Sequence, residues 1–224
     1  MSNINQCDLF WFLGVLHTDC YIYRNNGDFR ELRLRVGPAS VEMLLKWKKI
    51  LDSLTGKRHN IIKENYYDRR YNKNRISFCV REGSKPVINN LIIGLPITDS
   101  MSEEDLGAYL AGVIDGDGCV QIRKRYSDRG YEKLIKIAGE NSEKLMGLQE
   151  LLLKESLPKG YITSYKNHSD LWIYINKEFD KWLRINTIPH ISITSKLLKL
   201  VPRKRLVTDA NCPGGERQSN LPTA

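Results

Sequence analysis

Leu110-Ala111-Gly112-Val113-Ile114-Asp115-Gly116-Asp117-Gly118 is an apolar run that breaks off in two carboxylates set between glycines. The run predicts a helix ending at the acids. Ala111 and Gly112 are small enough to let a second helix approach closely, whereas a charge at Asp117 would be wasteful in a motif that only packs. Upstream, Phe12-Leu13-Gly14-Val15-Leu16-His17-Thr18-Asp19-Cys20 keeps the glycine, the apolar run and the final acid.

With Asp19 and Asp117 as the register, 98 positions apart, the same order of elements follows each acid. A strand-like stretch (Tyr21 to Arg24; Val120 to Arg125) leads to a polar turn and a second strand (Arg30 to Val36; Glu132 to Ala138), the pattern of a β-hairpin. Amphipathic helices come next, Val41 to Leu54 and Ser142 to Leu153. A second hairpin follows, long and basic between His59 and Val80, compact between Gly160 and Ile175, and each half closes with helix, Pro86 to Ile93 and Phe179 to Ile185. The fold class is therefore α+β, an αββαββα unit written twice. The first repeat is assigned to residues 1–94 and the linker to 95–105, with Ser100 and Glu103 resembling a capping box. The second repeat takes 106–201, and 202–224 form a tail that is basic and then flexible.

A chain of 224 residues with 41% hydrophobic content buries a substantial core, as one domain or as two packed halves. Thirty-five Lys and Arg against 26 Asp and Glu give a net charge of +9, which favours an anionic partner, nucleic acid first. Solvated lysines produce the same balance in many proteins. Five cysteines without a Cys-x-x-Cys pair argue against a zinc site or a disulfide framework and for a reducing, intracellular setting. Neither a secretion signal nor a membrane-spanning run is evident, so secretion and membrane insertion are not expected.

Helices packed in parallel through their glycine faces bring Asp19 and Asp117 together at one edge. Bare carboxylates there repel one another and the negative ends of the helix dipoles, so the arrangement makes sense chiefly with shared divalent cations. Such cations, with room for water and phosphate, are what two-metal phosphodiester hydrolysis requires. Taken alone, Asp115-Gly116-Asp117-Gly118 also reads as an ordinary turn. A calcium loop is disfavoured because Tyr126 stands where the bidentate Glu belongs.

At these residues the chain resembles the LAGLIDADG homing endonucleases, in the single-chain, two-motif, intron-encoded class. The second copy departs from the signature only at Val113 and Gly116; the first keeps only Gly14 and Asp19 identical. The resemblance spans roughly residues 8 to 200. It implies a saddle-shaped monomer whose motif helices form the interface between pseudo-symmetric halves and whose sheets lie in the DNA major groove. It also implies cleavage of both strands of a long asymmetric site, which promotes mobility of the intervening sequence. Asp19 and Asp117 match the family's catalytic and metal-binding acids, and the carbonyls of Thr18 and Gly116 its backbone ligands; Mg²⁺ is the implied cofactor, with Mn²⁺ as a substitute. His17 replaces the motif's first acid and Cys20 its glycine, so the first helix end is expected to turn differently. Lys136, Arg35 and Lys196 are candidates for the family's basic catalytic residue.

Strand alternation supplies a DNA face independently. Val120 and Ile122 point inward and leave Gln121, Arg123 and Arg125 outward; Leu32, Leu34 and Val36 leave Arg33 and Arg35. Ile76, Phe78 and Val80 leave Arg75, Ser77, Cys79 and Arg81, and Leu171, Ile173 and Ile175 leave Asp170, Trp172 and Tyr174. The expected DNA-binding set is Tyr21, Tyr23, Arg33, Arg35, Arg75, Ser77, Arg81, Gln121, Arg123, Arg125, Lys136, Trp172 and Tyr174, combining Arg and Gln for purine edges with groups that meet thymine methyls. The bland alternative is the solvated face of a half-buried sheet. The leading expectation is a metal-dependent DNA endonuclease acting on double-stranded DNA within a prokaryotic cytoplasm or an organelle. The competing readings are an RNA maturase assisting intron splicing, a DNA-binding protein that has lost cleavage, and an unrelated basic RNA-binding domain.

Overall fold

The computed structural model describes residues 4–69, 72–93, 101–124, 131–139 and 142–201. The first repeat runs α1 (Gln6–Thr18), β1 (Cys20–Asn25), β2 (Asp28–Val36), α2 (Val41–Thr55), β3 (Ile62–Asp68), β4 (Lys73–Glu82) and α3 (Lys85–Ile93). The second runs α4 (Glu103–Asp115), β5 (Gly118–Lys124), β6 (Tyr131–Gly139), α5 (Ser142–Lys154), β7 (Tyr161–Ser164), β8 (Ser169–Tyr174), α6 (Lys177–Asn186), a 3-10 turn (Ile188–His190) and α7 (Thr194–Leu200). Each repeat folds into one antiparallel four-stranded sheet. Their strand orders, β1-β2-β4-β3 and β5-β6-β8-β7, coincide under the duplication.

Helices α1 and α4 lie at the centre because they are apolar on nearly every side. Phe10 to Leu16 and Asp105 to Asp115 are continuously buried, and a helix without a polar face must be enclosed. By contrast α2 buries Met43, Leu44, Trp47, Ile50 and Leu51, one stripe at helical spacing, and Phe12 of α1 stacks on Trp47 with centroids 5.0 Å apart. The inward strand residues Leu32, Leu34, Val80, Ile135, Ile137, Leu171 and Ile173 complete a single core shared by both repeats.

The central helices run parallel. Their N-terminal ends meet where Gln6 Nε2 donates to Asp105 Oδ2 at 3.0 Å. The capping box that starts α4 is made by Ser102 and Asp105, because the helix begins at Glu103 and Asp105 is its third residue; Ser100 of the expected box lies outside the described residues. In the first hairpin Asn26 and Gly27 both take positive φ (51° and 81°), a two-residue turn whose twist suits the flanking strands.

Two inward assignments are corrected. Ile76 is 41% exposed and Ile122 is 61% exposed, although both have the inward phase. Helix α7 was not expected from the sequence, and it carries a residue of the candidate site.

Candidate metal centre and nucleic-acid interface

The two glycines that open the motifs set the distance between the central helices. A Cβ on Gly14 would lie 2.3 Å from the Tyr109 carbonyl oxygen, and one on Gly112 only 2.1 Å from that of Trp11. Backbone therefore meets backbone at the seam. Two further contacts cross it at positions related by the 98-residue register. Trp11 Nε1 donates to Asp115 Oδ2 at 2.9 Å, and Tyr109, the counterpart of Trp11, meets His17, the counterpart of Asp115, with hydroxyl and Nδ1 3.2 Å apart.

Asp115 and Asp117 have separate fates. The Asp115 carboxylate is buried and accepts four hydrogen bonds, from Trp11 Nε1, from the Ser192 amide and hydroxyl (both 2.7 Å) and from the Ile193 amide (3.1 Å). It is a structural anchor that ties α1 and the segment before α7 to α4. Asp117 lies beyond the helix cap, and its carbonyl accepts from Ala138 N–H at 3.3 Å. Asp19 occupies the corresponding place after α1, close enough that a Cβ on Gly116 would stand 3.4 Å from its own Cβ.

The Asp19 carboxyl is pushed up to about 6, first by burial, then by the Asp117 charge, against a smaller opposing pull from Lys196. A carboxyl whose ionisation is opposed by burial and by a neighbouring acid makes, with that acid, a natural cation site, so the residues present fit a divalent metal bound between Asp19 and Asp117. Lys196 on α7 caps the end of α4. Its Nζ donates to the carbonyls of Ile114 (2.6 Å), Asp115 (2.6 Å) and Gly116 (3.1 Å), and burial lowers its own pKa despite the surrounding acids. Of the three basic candidates only Lys196 stands at the acids. Arg35 pairs with Glu64 at 2.6 Å, and Lys136 with Asp170 at 2.8 Å. The Gly116 carbonyl, expected as a backbone ligand, is shared with Lys196; the Thr18 hydroxyl turns back to the Gly14 carbonyl at 2.8 Å.

The helix ends do differ. A Cβ on Gly118 would strike the backbone of Ile114 at 2.4 Å, whereas its counterpart Cys20 holds a side chain. Thus α4 stops at Asp115 with Gly116 as cap, and α1 continues to Thr18 with Asp19 as cap.

Cross-strand register gathers the expected DNA-binding residues on the outer sheet faces. In the first sheet Tyr21 pairs with Arg33 and Arg33 with Arg81; Arg35 pairs with Cys79, and Tyr66 with Arg75. Its arginines are already engaged by carboxylates: Arg33 donates to Glu31 at 2.5 Å, Arg35 and Arg81 converge on Glu64, and Arg75 pairs with Asp68 at 2.9 Å. Tyr21 and Tyr23 stand exposed beside them. Ser77 is corrected: it has the outward phase but is only 3% exposed, and its hydroxyl has no hydrogen-bond partner.

The second sheet instead presents an aromatic cluster. Trp172, expected to be open, is buried beneath the Arg123 guanidinium at 4.0 Å, the Lys136 ammonium at 5.2 Å and the stacked Tyr161 ring at 6.3 Å. Gln121 accepts from Arg123 Nε and Nη2 at 3.1 and 2.9 Å, and Tyr174 remains exposed at the edge. Arg125 lies outside the described residues.

Against known proteins, the family model described as a LAGLIDADG-like domain matches residues 104–196. That match falls on the second repeat. The chain as a whole has the fold of the homing endonuclease I-WcaI bound to its DNA recognition sequence, at TM-score 0.60 and 12% identity over 90% of this chain and 88% of that one. It is similar as well to the N-terminal LAGLIDADG domain of DUF199/WhiA, at TM-score 0.53 and 15% identity over 82% and 84% of the two chains. Full-length DUF199/WhiA from Thermatoga maritima gives TM-score 0.55 and 16% identity, covering 88% of this chain and 61% of that one. At such identities the likeness is one of fold. No curated protein sequence matches the chain. No helix among the described residues is long and apolar enough to cross a membrane.

The sequence signal behind the site was uneven. Asp115, Ser192 and the carboxylates Glu31 and Glu64 were missed, since their roles depend on partners remote in sequence. His59 was read only as the start of a hairpin, yet it is buried with its ring nitrogens 2.7 Å from Asp52 and 3.0 Å from Glu82.

Proposed function

We propose that the chain is a site-specific double-strand DNA endonuclease that acts as a monomer, each repeat supplying one acid and one DNA-reading sheet. The observation that carries this is the convergence of Asp19 and Asp117 at the paired helix ends, where burial and then the Asp117 charge oppose the ionisation of Asp19 and Lys196 stands beside both.

Asp19 and Asp117 hold the divalent ion, Mg²⁺ or in its place Mn²⁺, with the backbone carbonyls of Thr18 and Gly116 alongside. When bound, the metal supplies the positive charge that lowers the pKa of a water and stabilises the charge developing on a scissile phosphate. The glycine seam fixes the spacing of the acids. Lys196 neutralises the helix end in the free protein and offers its ammonium to the phosphate when DNA is seated. The arginines of the first sheet and the Arg123–Trp172 cluster of the second contact bases and phosphates on either side, and the aromatic cluster suits thymine methyls. Hydrolysis at a long asymmetric site would promote mobility of an intervening sequence that encodes the chain, in an intracellular compartment of a prokaryote or an organelle.

The second reading, a DNA- or intron-RNA-binding protein that does not cut, draws on the likeness to WhiA, which unlike I-WcaI is not named as an endonuclease. Incubation with a randomised duplex library in Mg²⁺, with sequencing of the cut ends, separates the two. The nuclease reading expects cleavage by the parent and its near-complete loss in Asp117→Asn, with sequence-specific binding retained. Tight selection of one sequence without cleavage in Mg²⁺ or Mn²⁺ would establish the binding protein.

A further inference from the structure

The other end of the helix seam carries a second constellation. Cys7 in the first turn of α1, Glu104 in the first turn of α4 and His190 at the end of the 3-10 turn place a thiol sulfur, a carboxylate oxygen and a ring nitrogen within 4.8 Å of one another. Cys7 and Asp19 are separated by nearly the full length of α1, about 18 Å at the usual helical rise, so this group is remote from the acid pair. It joins three elements and both repeats.

We propose that Cys7, Glu104 and His190 form a zinc-class divalent metal site that staples α1 of the first repeat to α4 and the 3-10 turn of the second. The donor set is the first argument. One sulfur, one imidazole nitrogen and one carboxylate oxygen suit a borderline-soft ion and discriminate against Mg²⁺, which takes oxygen ligands. Geometry is the second: a tetrahedral zinc ion holds S, N and O ligands roughly 3.3–3.6 Å apart, so from separations within 4.8 Å a contraction of up to about 1.5 Å completes the set. Glu104 is exposed, which leaves the fourth position open to water.

Local charge agrees. Asp8, Glu104 and Asp105 lie around the group, and the ammonium of Lys46 nearby is turned to Asp8 (3.8 Å), the His190 carbonyl (2.9 Å) and the Trp11 ring (4.2 Å). Burial and then the hydrogen bond to Glu104 push the Cys7 thiol up to about 11, so the metal-free site is protonated there; burial and then Lys46 draw His190 down, which keeps the imidazole neutral and able to ligate. Binding releases the Cys7 proton to solvent as the sulfur–metal bond forms, and His190 has none to lose.

Co²⁺ titration of the full chain is the test, since cobalt bound to a thiolate absorbs strongly in the near ultraviolet and cobalt bound to oxygen does not. One equivalent should develop the thiolate band, and Zn²⁺ should displace it. Cys7→Ser should abolish the band and His190→Gln should weaken cobalt binding at least about tenfold, while Asp19→Asn should leave both unchanged. Zinc at a hundredfold excess over its dissociation constant should raise Tm by about 5–10 °C in the parent but not in Cys7→Ser. A parent without the band, a band that survives in Cys7→Ser, or one lost in Asp19→Asn overturns the proposal. None of these outcomes depends on whether the chain cleaves DNA.

Discussion

Replacing Asp19 by Asn should stabilise the metal-free protein at neutral pH while removing its proposed activity. The Asp19 carboxyl rises from an ordinary value of 3.8 to about 6, because burial and the Asp117 charge oppose its ionisation more than Lys196 favours it. It therefore binds its proton more tightly in the folded chain than in the unfolded one. The stability this confers is complete below pH 3.8 and is lost as pH climbs through about 6. Two pKa units correspond to about 3 kcal/mol, an upper figure because solvent reaches the helix ends. Asparagine keeps the shape and escapes the loss.

Calorimetry in chelator from pH 4 to pH 8 reads the effect directly. The variant and the parent should melt nearly together at pH 4. By pH 7.5 the variant should melt roughly 6–12 °C higher, at about 2–4 °C per kcal/mol for a chain of this size. Millimolar Mg²⁺ should narrow that gap, since a bound cation relieves the repulsion that Asn removes. Asp117→Asn should give a smaller gain, because it removes only the electrostatic share of the Asp19 shift and leaves burial in place. A gap that is flat across pH, or a less stable variant at pH 7.5, would refute the reasoning that Asp19 and Asp117 are held together under strain.

Gly112→Ala should open the seam, because its Cβ would sit 2.1 Å from the Trp11 carbonyl oxygen; a loss of about 3 kcal/mol or more in urea denaturation is expected. Asp115→Ala should cost about 3–5 kcal/mol by the same measurement, since it strips four donors of their buried acceptor. Glu64→Gln should release Arg35 and Arg81 and so tighten DNA binding several-fold at low salt, with the slope of log K against log[salt] steeper by roughly one and base preference relaxed; anisotropy titrations at several salt concentrations measure all three.

The seam was the most legible part of the molecule. A nine-residue motif with a degenerate copy fixes two helices, their glycine contact and the meeting of their ends, because those features depend on residues adjacent in sequence. Sheet orientation was legible where alternation is backed by core, as at Leu32, Leu34 and Val36. It failed at Ile76 and Ile122, which have the inward phase yet are exposed, and at Ser77, Cys79, Asp170 and Trp172, which have the outward phase yet are buried. No local pattern distinguishes an outward residue that meets solvent from one roofed over by Arg123 and Tyr161. Lys196 could be named only as one of three candidates, since its position depends on where α7 packs. The carboxylate partners of Arg33, Arg35 and Arg81 follow from strand register, which alternation alone does not supply.

The repeats differ most where their symmetry is strongest. Trp11–Asp115 and Tyr109–His17 are the same contact made twice, yet one ends in a carboxylate bound by four donors and the other in an imidazole that burial, and then Lys144, biases towards neutrality. The helix ends follow suit. At α4 an ammonium answers the last carbonyls and offsets the negative end of the helix dipole. At α1 the Thr18 hydroxyl answers the carbonyls of Gly14 and Val15, which satisfies the hydrogen bonds but brings no charge. Asp19 thus stands at a helix terminus whose carbonyls no bonded cation answers, and its raised pKa comes first from burial and then from the Asp117 charge, against the pull of Lys196. A divalent ion placed between the acids would be held from two unequal sides, one helix end answered by an ammonium and the other by a hydroxyl.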